Sequence, residues 1–238
     1  MRLKLLLISF VPFFLFFQIQ AGMAQDEGLP SVSIDDDAPP RPKQYYLFSP
    51  RVSVTVPHPM GNKSFKKSFV GIYEVSGGLN IMFFKGLFIG GTFKNGLLKI
   101  TENKIADYNA RLSINNAAVK VGGDMFVGDK NRMIFSASVS VGKNWSKFSG
   151  IVCKTPGEKP MIDGYTTYYY EPEMNLFFLI ESNFGIGATL SYSIFNKNFD
   201  PYELCLDDWT QFDKSNVGST QYLSFGFGFY YSFLKKNK

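Results

Sequence analysis

Strict alternation of side-chain character near the C-terminal end restricts the fold of this chain more than any other feature. Leu223, Phe225, Phe227, Phe229, Tyr231 and Phe233 form one row, and Ser224, Gly226, Gly228, Tyr230 and Ser232 form the other. Successive side chains leave a strand on opposite sides, so a period of two marks a β-strand with two unlike faces. The preceding segment repeats the pattern, with Phe184, Ile186, Ala188, Leu190, Tyr192 and Ile194 against Gly185, Gly187, Thr189, Ser191 and Ser193. Further upstream, Met133, Phe135, Ala137, Val139 and Val141 oppose Ser136, Ser138, Ser140 and Gly142. Ala117, Val119, Val121, Met125 and Val127 oppose Asn116, Lys120, Gly122 and Asp124.

Four more segments alternate less regularly. Phe69, Tyr73, Val75, Leu79, Ile81 and Phe83 oppose Glu74, Ser76, Gly78 and Asn80, and Leu87, Ile89 and Phe93 oppose Gly90, Thr92 and Lys94. Tyr168, Tyr170, Met174, Leu176, Phe178 and Ile180 oppose Glu171, Glu173, Asn175 and Glu181. The shortest, Val52, Val54 and Val56 against Arg51, Ser53 and Thr55, comes first and brings the total to eight segments. Tight turns are expected near Lys85-Gly86, at 128–132 and at 181–183, and longer connections at 57–68, 101–115, 149–167 and 196–219. Short and long connections therefore alternate, which puts all the long ones on one side, as in an outer-membrane barrel of even strand number.

Alternation is shared by soluble barrels and sandwiches, so the polar rows decide the environment. A row facing water normally carries Lys, Glu and Arg. In the last two segments it carries Ser, Gly and Thr with one Tyr, which suits the narrow inside of an eight-stranded barrel. The apolar rows hold no charge and are rich in Phe and Tyr, which suits a lipid band bounded by aromatic girdles. Trp145, Tyr168 and Tyr192 fall toward the loop ends, and Phe83, Phe135, Tyr231 and Phe233 toward the turn ends. The expected fold is all-β: an eight-stranded antiparallel transmembrane β-barrel over 45–238. A lipocalin-like soluble barrel is the competing architecture.

Two segments precede the barrel. Arg2 and Lys4, the apolar run Leu5 to Phe17 and the small residues Gly22 and Ala24 give 1–24 the three-part layout of a secretory signal peptide. The apolar run is too short for a membrane-spanning helix, which needs about 20 residues. Residues 25–44, with Asp35-Asp36-Asp37 and Pro39-Pro40-Arg41-Pro42, read as a flexible periplasmic linker.

These features resemble the small outer-membrane β-barrel proteins of the OmpA/OmpX-like type: the leader, the eight alternating segments, the tight turns and the aromatic stretch Gly226-Phe227-Gly228-Phe229-Tyr230-Tyr231-Ser232-Phe233. The polar linker and Lys/Asn-rich loops are closest in style to the porin-like, PorT-like barrels of Bacteroidetes. The resemblance is one of pattern over Tyr45 to Leu234. It implies a bacterial outer membrane location and says little about activity. One departure is that Phe233-Leu234 is followed by Lys235-Lys236-Asn237-Lys238, whereas such barrels often end on an aromatic residue.

Candidate functional residues fall into four groups. Arg51, Glu74, Lys94, Lys120, Asp124, Glu171, Glu173 and Glu181 lie on inward rows, where charges need partners. They read as an internal ion-pair network, with a lined ion path as the alternative. In the last long connection Tyr202, Leu206, Trp209 and Phe212 form an aromatic and apolar cluster, either a contact site for a partner or a plug over the barrel mouth. Acids in the same connection, Asp200, Glu203, Asp207, Asp208 and Asp213, lack the Ca²⁺-loop pattern. Cys153 and Cys205, the only two cysteines, sit in neighbouring outer connections and are a candidate disulfide. His58, the single histidine, sits at the outer end of the first strand; a lipid A-modifying enzyme would need it beside a hydroxyl and an acid, and no spacing supplies these.

No cofactor or metal is implied, and scattered lysines and arginines give no nucleic-acid footprint. The expected function is therefore structural or interactive. The chain would sit in outer-membrane lipid and lipopolysaccharide, with long outer loops that bind other envelope proteins. A narrow channel is the second reading and the lipid-modifying enzyme the third.

Overall fold

The computed structural model describes residues 46–100, 110–128, 131–151, 162–206 and 218–234. The expected leader, 1–24, and the expected linker, 25–44, lie outside them. The alternating rows become eight barrel strands: β1 (Tyr46–Gly61), β2 (Phe69–Phe84), β3 (Leu87–Ile100), β4 (Arg111–Val127), β5 (Met133–Ser149), β6 (Gly164–Leu179), β7 (Phe184–Phe199) and β8 (Gly218–Tyr231). Each pairs antiparallel with its sequence neighbours, and β1 closes the ring by pairing with both β8 and β2. A two-residue β9 (Phe233–Leu234) continues the last strand against the start of β1. The tight turns at 85–86 and 180–183 stand where the alternation places them, at the same end as the short step from Val127 of β4 to Met133 of β5.

Outward side chains form an apolar band around the wall. Val52, Val54, Val75, Leu79, Ile89, Val119, Val121, Phe178, Ile186 and Phe225 are all exposed, as is Phe227, at 71%. A continuous apolar surface of this extent suits hydrocarbon and not water. Trp145 and Tyr168 are exposed above it, and Phe83, Tyr231 and Phe233 below it.

The strands run longer than the alternation suggested. Crossing a bilayer takes about 9–11 residues, yet the strands have 14 to 17. The first is 16 residues, not the shortest. The reason is a swap of character along each strand. In β4, Asn116, Lys120 and Asp124 point inward while Val119, Val121 and Met125 face out. Toward the long-loop end the parity is kept but the chemistry reverses, with Leu112 and Ile114 inside and Arg111, Ser113 and Asn115 outside. β7 does the same, with Phe195 and Phe199 inside and Asn196 and Asn198 outside. Beyond the lipid band the wall is that of a water-exposed barrel around an apolar core.

The expected long connection at 57–68 is mostly regular structure. β1 continues to Gly61, and α1 (Lys63–Ser68) follows. Asn62 caps α1 by accepting from the Ser64 and Phe65 backbone N–H groups at 2.7 and 3.0 Å. Phe65 then drops into the barrel mouth. Phe69, expected on the outward row, is also buried there, at 1% exposure. The β2–β3 register shifts between Gly71 and Tyr73, so Ile72 and Tyr73 both face out and the parity of everything before the bulge is reversed.

This corner also interrupts the ring. β1 pairs with β8 as far as Gly61, but with β2 only from Phe48 to Thr55. The Pro57 carbonyl oxygen faces Gly71 of β2. A residue's N and C=O leave a strand on the same edge, so the missing N–H of Pro57 and that of Pro59, two residues on, both belong to the β2 side. Two absent donors and a bulge leave the outer part of the β1–β2 boundary without a ladder.

Candidate functional site

The inside of the barrel holds three stacked layers. The lowest, at the turn end, is aromatic around one cation. Arg51 pairs with Asp124 and donates to Ser136 Oγ at 2.7 Å. Its guanidinium lies 4.9, 5.6 and 5.3 Å from the ring centroids of Phe88, Phe177 and Tyr230. The Tyr46 hydroxyl donates to Asp124 at 2.6 Å. Ile134, Leu179, Met82 and Phe126 fill the rest of this end.

The middle layer is ionic. Lys120 Nζ donates to both oxygens of Glu173, at 2.9 and 3.0 Å. Asn175 donates to the same carboxylate at 2.8 Å and accepts from Thr189 at 2.7 Å. Higher up, Lys94 bridges Glu171 at 2.8 Å and Glu74 at 3.3 Å. Glu74 also accepts from Tyr222 at 2.7 Å and Thr55 at 3.1 Å, and Glu171 from Ser193. Seven of the eight expected interior charges are thus brought together, all buried or nearly so. Glu181 is the exception. It continues the inward parity of β6 but stands beyond that strand's end at Leu179, in the exposed turn.

The top layer is an apolar plug. Phe65, Phe69, Leu98, Ile100, Leu112, Ile114, Phe148, Phe195 and Phe199 are buried together above the Lys94 layer. Rings of Phe65, Phe69 and Phe199 lie 5.3 to 5.9 Å apart. A short 3-10 turn, Pro201–Leu204, lays Leu204 and Leu206 onto them. Leu206 is fully buried, so it belongs to the plug and not to a contact surface, whereas Tyr202 remains partly exposed. Trp209 and Phe212 lie outside the described residues. So does Cys153; Cys205 closes the 3-10 turn, is fully buried and is not a free thiol.

Sequence reasoning offered a plug only from the last connection, through Leu206, and missed its other members because they look like loop residues or lie on rows read as outward. The usable signal was the reversal of row character, visible in Leu112 and Ile114 flanked by Arg111, Ser113 and Asn115. Between the aromatic and ionic layers is a cavity of only about 20 Å³, bordered by Asn80, Thr92, Lys120 and Thr189. That is room for about one water. His58 faces outward from β1 opposite Leu223, and among the described residues it has no hydrogen-bond or ion-pair partner.

No protein-family model matches the chain, and no curated protein is similar to it in sequence. Solved structures are similar in shape. The crystal structure of Neisserial surface protein A aligns over 78% of this chain and 97% of its own, with a TM-score of 0.52 at 8% identity. The fold is that of the eight-stranded outer-membrane β-barrels. More distantly, OprG from Pseudomonas aeruginosa aligns over 79% of this chain and 97% of its own, at TM-score 0.42 and 11% identity. Ail of Yersinia pestis aligns over 77% and 97%, at 0.42 and 12%. At these identities the likeness speaks for architecture alone, so the side chains of this barrel carry its functional reading.

Proposed function

We propose that the protein is exported by its leader to the bacterial outer membrane and serves there as a closed, non-conducting anchor. Its long-loop end would present an interaction surface to other envelope components. The observation that supports this most is the filled interior: an aromatic layer, an ionic layer and an apolar plug in series leave no conduit for ions. An eight-stranded interior is just wide enough for side chains, and here they occupy it. The channel reading thus loses its path, and the enzyme reading has in His58 a histidine without an orienting group among the described residues.

The test has two arms. Purified protein in planar bilayers should give no steady single-channel steps; regular steps that persist on repeated insertion would sink the anchor reading. Photo-crosslinking from the outer connections in intact cells should trap an envelope component, and labelling only of the turn end would reverse the orientation. The kinship with Bacteroidetes barrels rests on sequence style alone. A Cys153–Cys205 disulfide is part of the same proposal, supported by the buried Cys205 and by the Ile162 backbone N–H, which donates to the Glu203 carbonyl at 3.4 Å between the two outer connections. A non-reducing gel and a cross-linked peptide mass would establish it, and two alkylatable thiols in the native protein would refute it.

A further inference from the structure

The outer wall is unevenly charged. Above the apolar rows of β4 and β5, Arg111, Lys143 and Lys147 all face outward and are exposed. The outward row of β5 is apolar from Met133 to Val141 and then reads Lys143, Trp145, Lys147. Lys99, on the neighbouring β3, is paired directly opposite Arg111. At the same height on β7 and β8 the outward residues are Asn196, Asn198, Ser219 and Gln221, all neutral.

Three of these cations stand apart from the interior network of the barrel. Among the described residues, Arg111, Lys143 and Lys147 have no ion-pair partner; Lys143 lies 5.8 Å over the Trp145 ring. Asp163, the carboxylate nearest in the pairing, stands opposite Phe148, which faces inward. Lys143 and Lys147 are about 13 Å apart along the strand, and Arg111 is diagonal to Lys147 at roughly 7–8 Å. The patch therefore starts where the hydrocarbon band ends and climbs through the depth of a headgroup layer. Exposed Trp145 and Tyr168 border it at the boundary, where amphipathic rings contact lipid heads.

We infer that this β3–β5 wall binds the phosphate-bearing headgroup of an outer-leaflet glycolipid. Three guanidinium and ammonium groups spread over the wall match an anionic headgroup of more than one charge. All three point sideways from the wall, Lys143 and Lys147 within β5 and Arg111 at the start of β4, which fits a lipid neighbour and not a soluble protein. The inference rests on the proposed orientation, with the long-loop end outward.

The test compares two charge-matched variants of the full-length protein in detergent. R111Q/K143Q/K147Q removes the wall cations. K63Q/K66Q/K67Q removes three lysines from α1, on the rim. Binding is read by native mass spectrometry with added bisphosphorylated glycolipid, its dephosphorylated form, or phosphatidylcholine. The wall variant should bind the phosphorylated lipid about a hundredfold more weakly, and the rim variant within about twofold of the native chain, given screening of distant charges. The dephosphorylated lipid should bind the native chain no better than phosphatidylcholine. Equal loss in both variants, or undiminished binding by the wall variant, overturns the inference. Failure of the native protein to show a heat-modifiable band or to float with vesicles would instead overturn the membrane reading.

Discussion

At the scale of single residues, the interior charges hold one another in place. Lys120 and Glu173 are each nearly excluded from solvent and bond only inside the barrel. Replacing Lys120 by Met leaves a buried carboxylate without its cation, at a cost of about 3–5 kcal/mol. The double variant K120M/E173L, which removes both charges, should restore most of that stability. Urea unfolding in micelles measures the pair; a double variant as weak as the single would show that the ion pair is not the coupled unit. A second contrast lies across the β2 bulge. Phe69→Ala should cost about 3–5 kcal/mol, since its ring fills the plug. Val70→Ala, next to it on the exposed face, should change stability by about 1 kcal/mol or less.

At the scale of elements, the bulge and the prolines set the shape of the β1–β2 corner. A Cβ on Gly71 would run into the Pro57 carbonyl, whereas one on Gly77 meets nothing within 4 Å. Gly71→Ala should therefore lower the unfolding midpoint. Gly77→Ala should hold or raise it, because it removes backbone freedom from the unfolded chain. Equal effects would mean that the corner relaxes freely. This corner also marks the limit of what the alternation made legible. Where lipid lies outside, the rows were plain: β7 and β8 sort as Phe184 to Ile194 and Leu223 to Phe233 imply. Above the lipid the apolar side moves indoors, so a search for apolar residues facing out ends the strand too early. The interior charges were found because a charge on an inward row stands out anywhere. Phe65 and Phe69 were missed because a six-residue helix and a bulge carry no period of their own.

At the scale of the whole molecule, the filled interior predicts silence in conductance and robustness in structure. Opening the top alone should not create a channel, because the Lys94 and Arg51 layers remain below it. Phe65→Ala with Phe199→Ala should destabilise the mouth and still yield no steady single-channel steps; a stable conductance in that variant would show that the lower layers are permeable. The interrupted β1–β2 ladder has a different consequence. A cylinder stitched all the way round at one end and only part of the way at the other has a built-in direction of failure. Heat or pulling force would open it from the outer rim downward, between Pro57 and Gly71 and along the β6–β7 seam above Tyr169 and Phe195, as a sleeve parts along an unfinished hem. Amides of the turn end would then be the last to exchange with solvent.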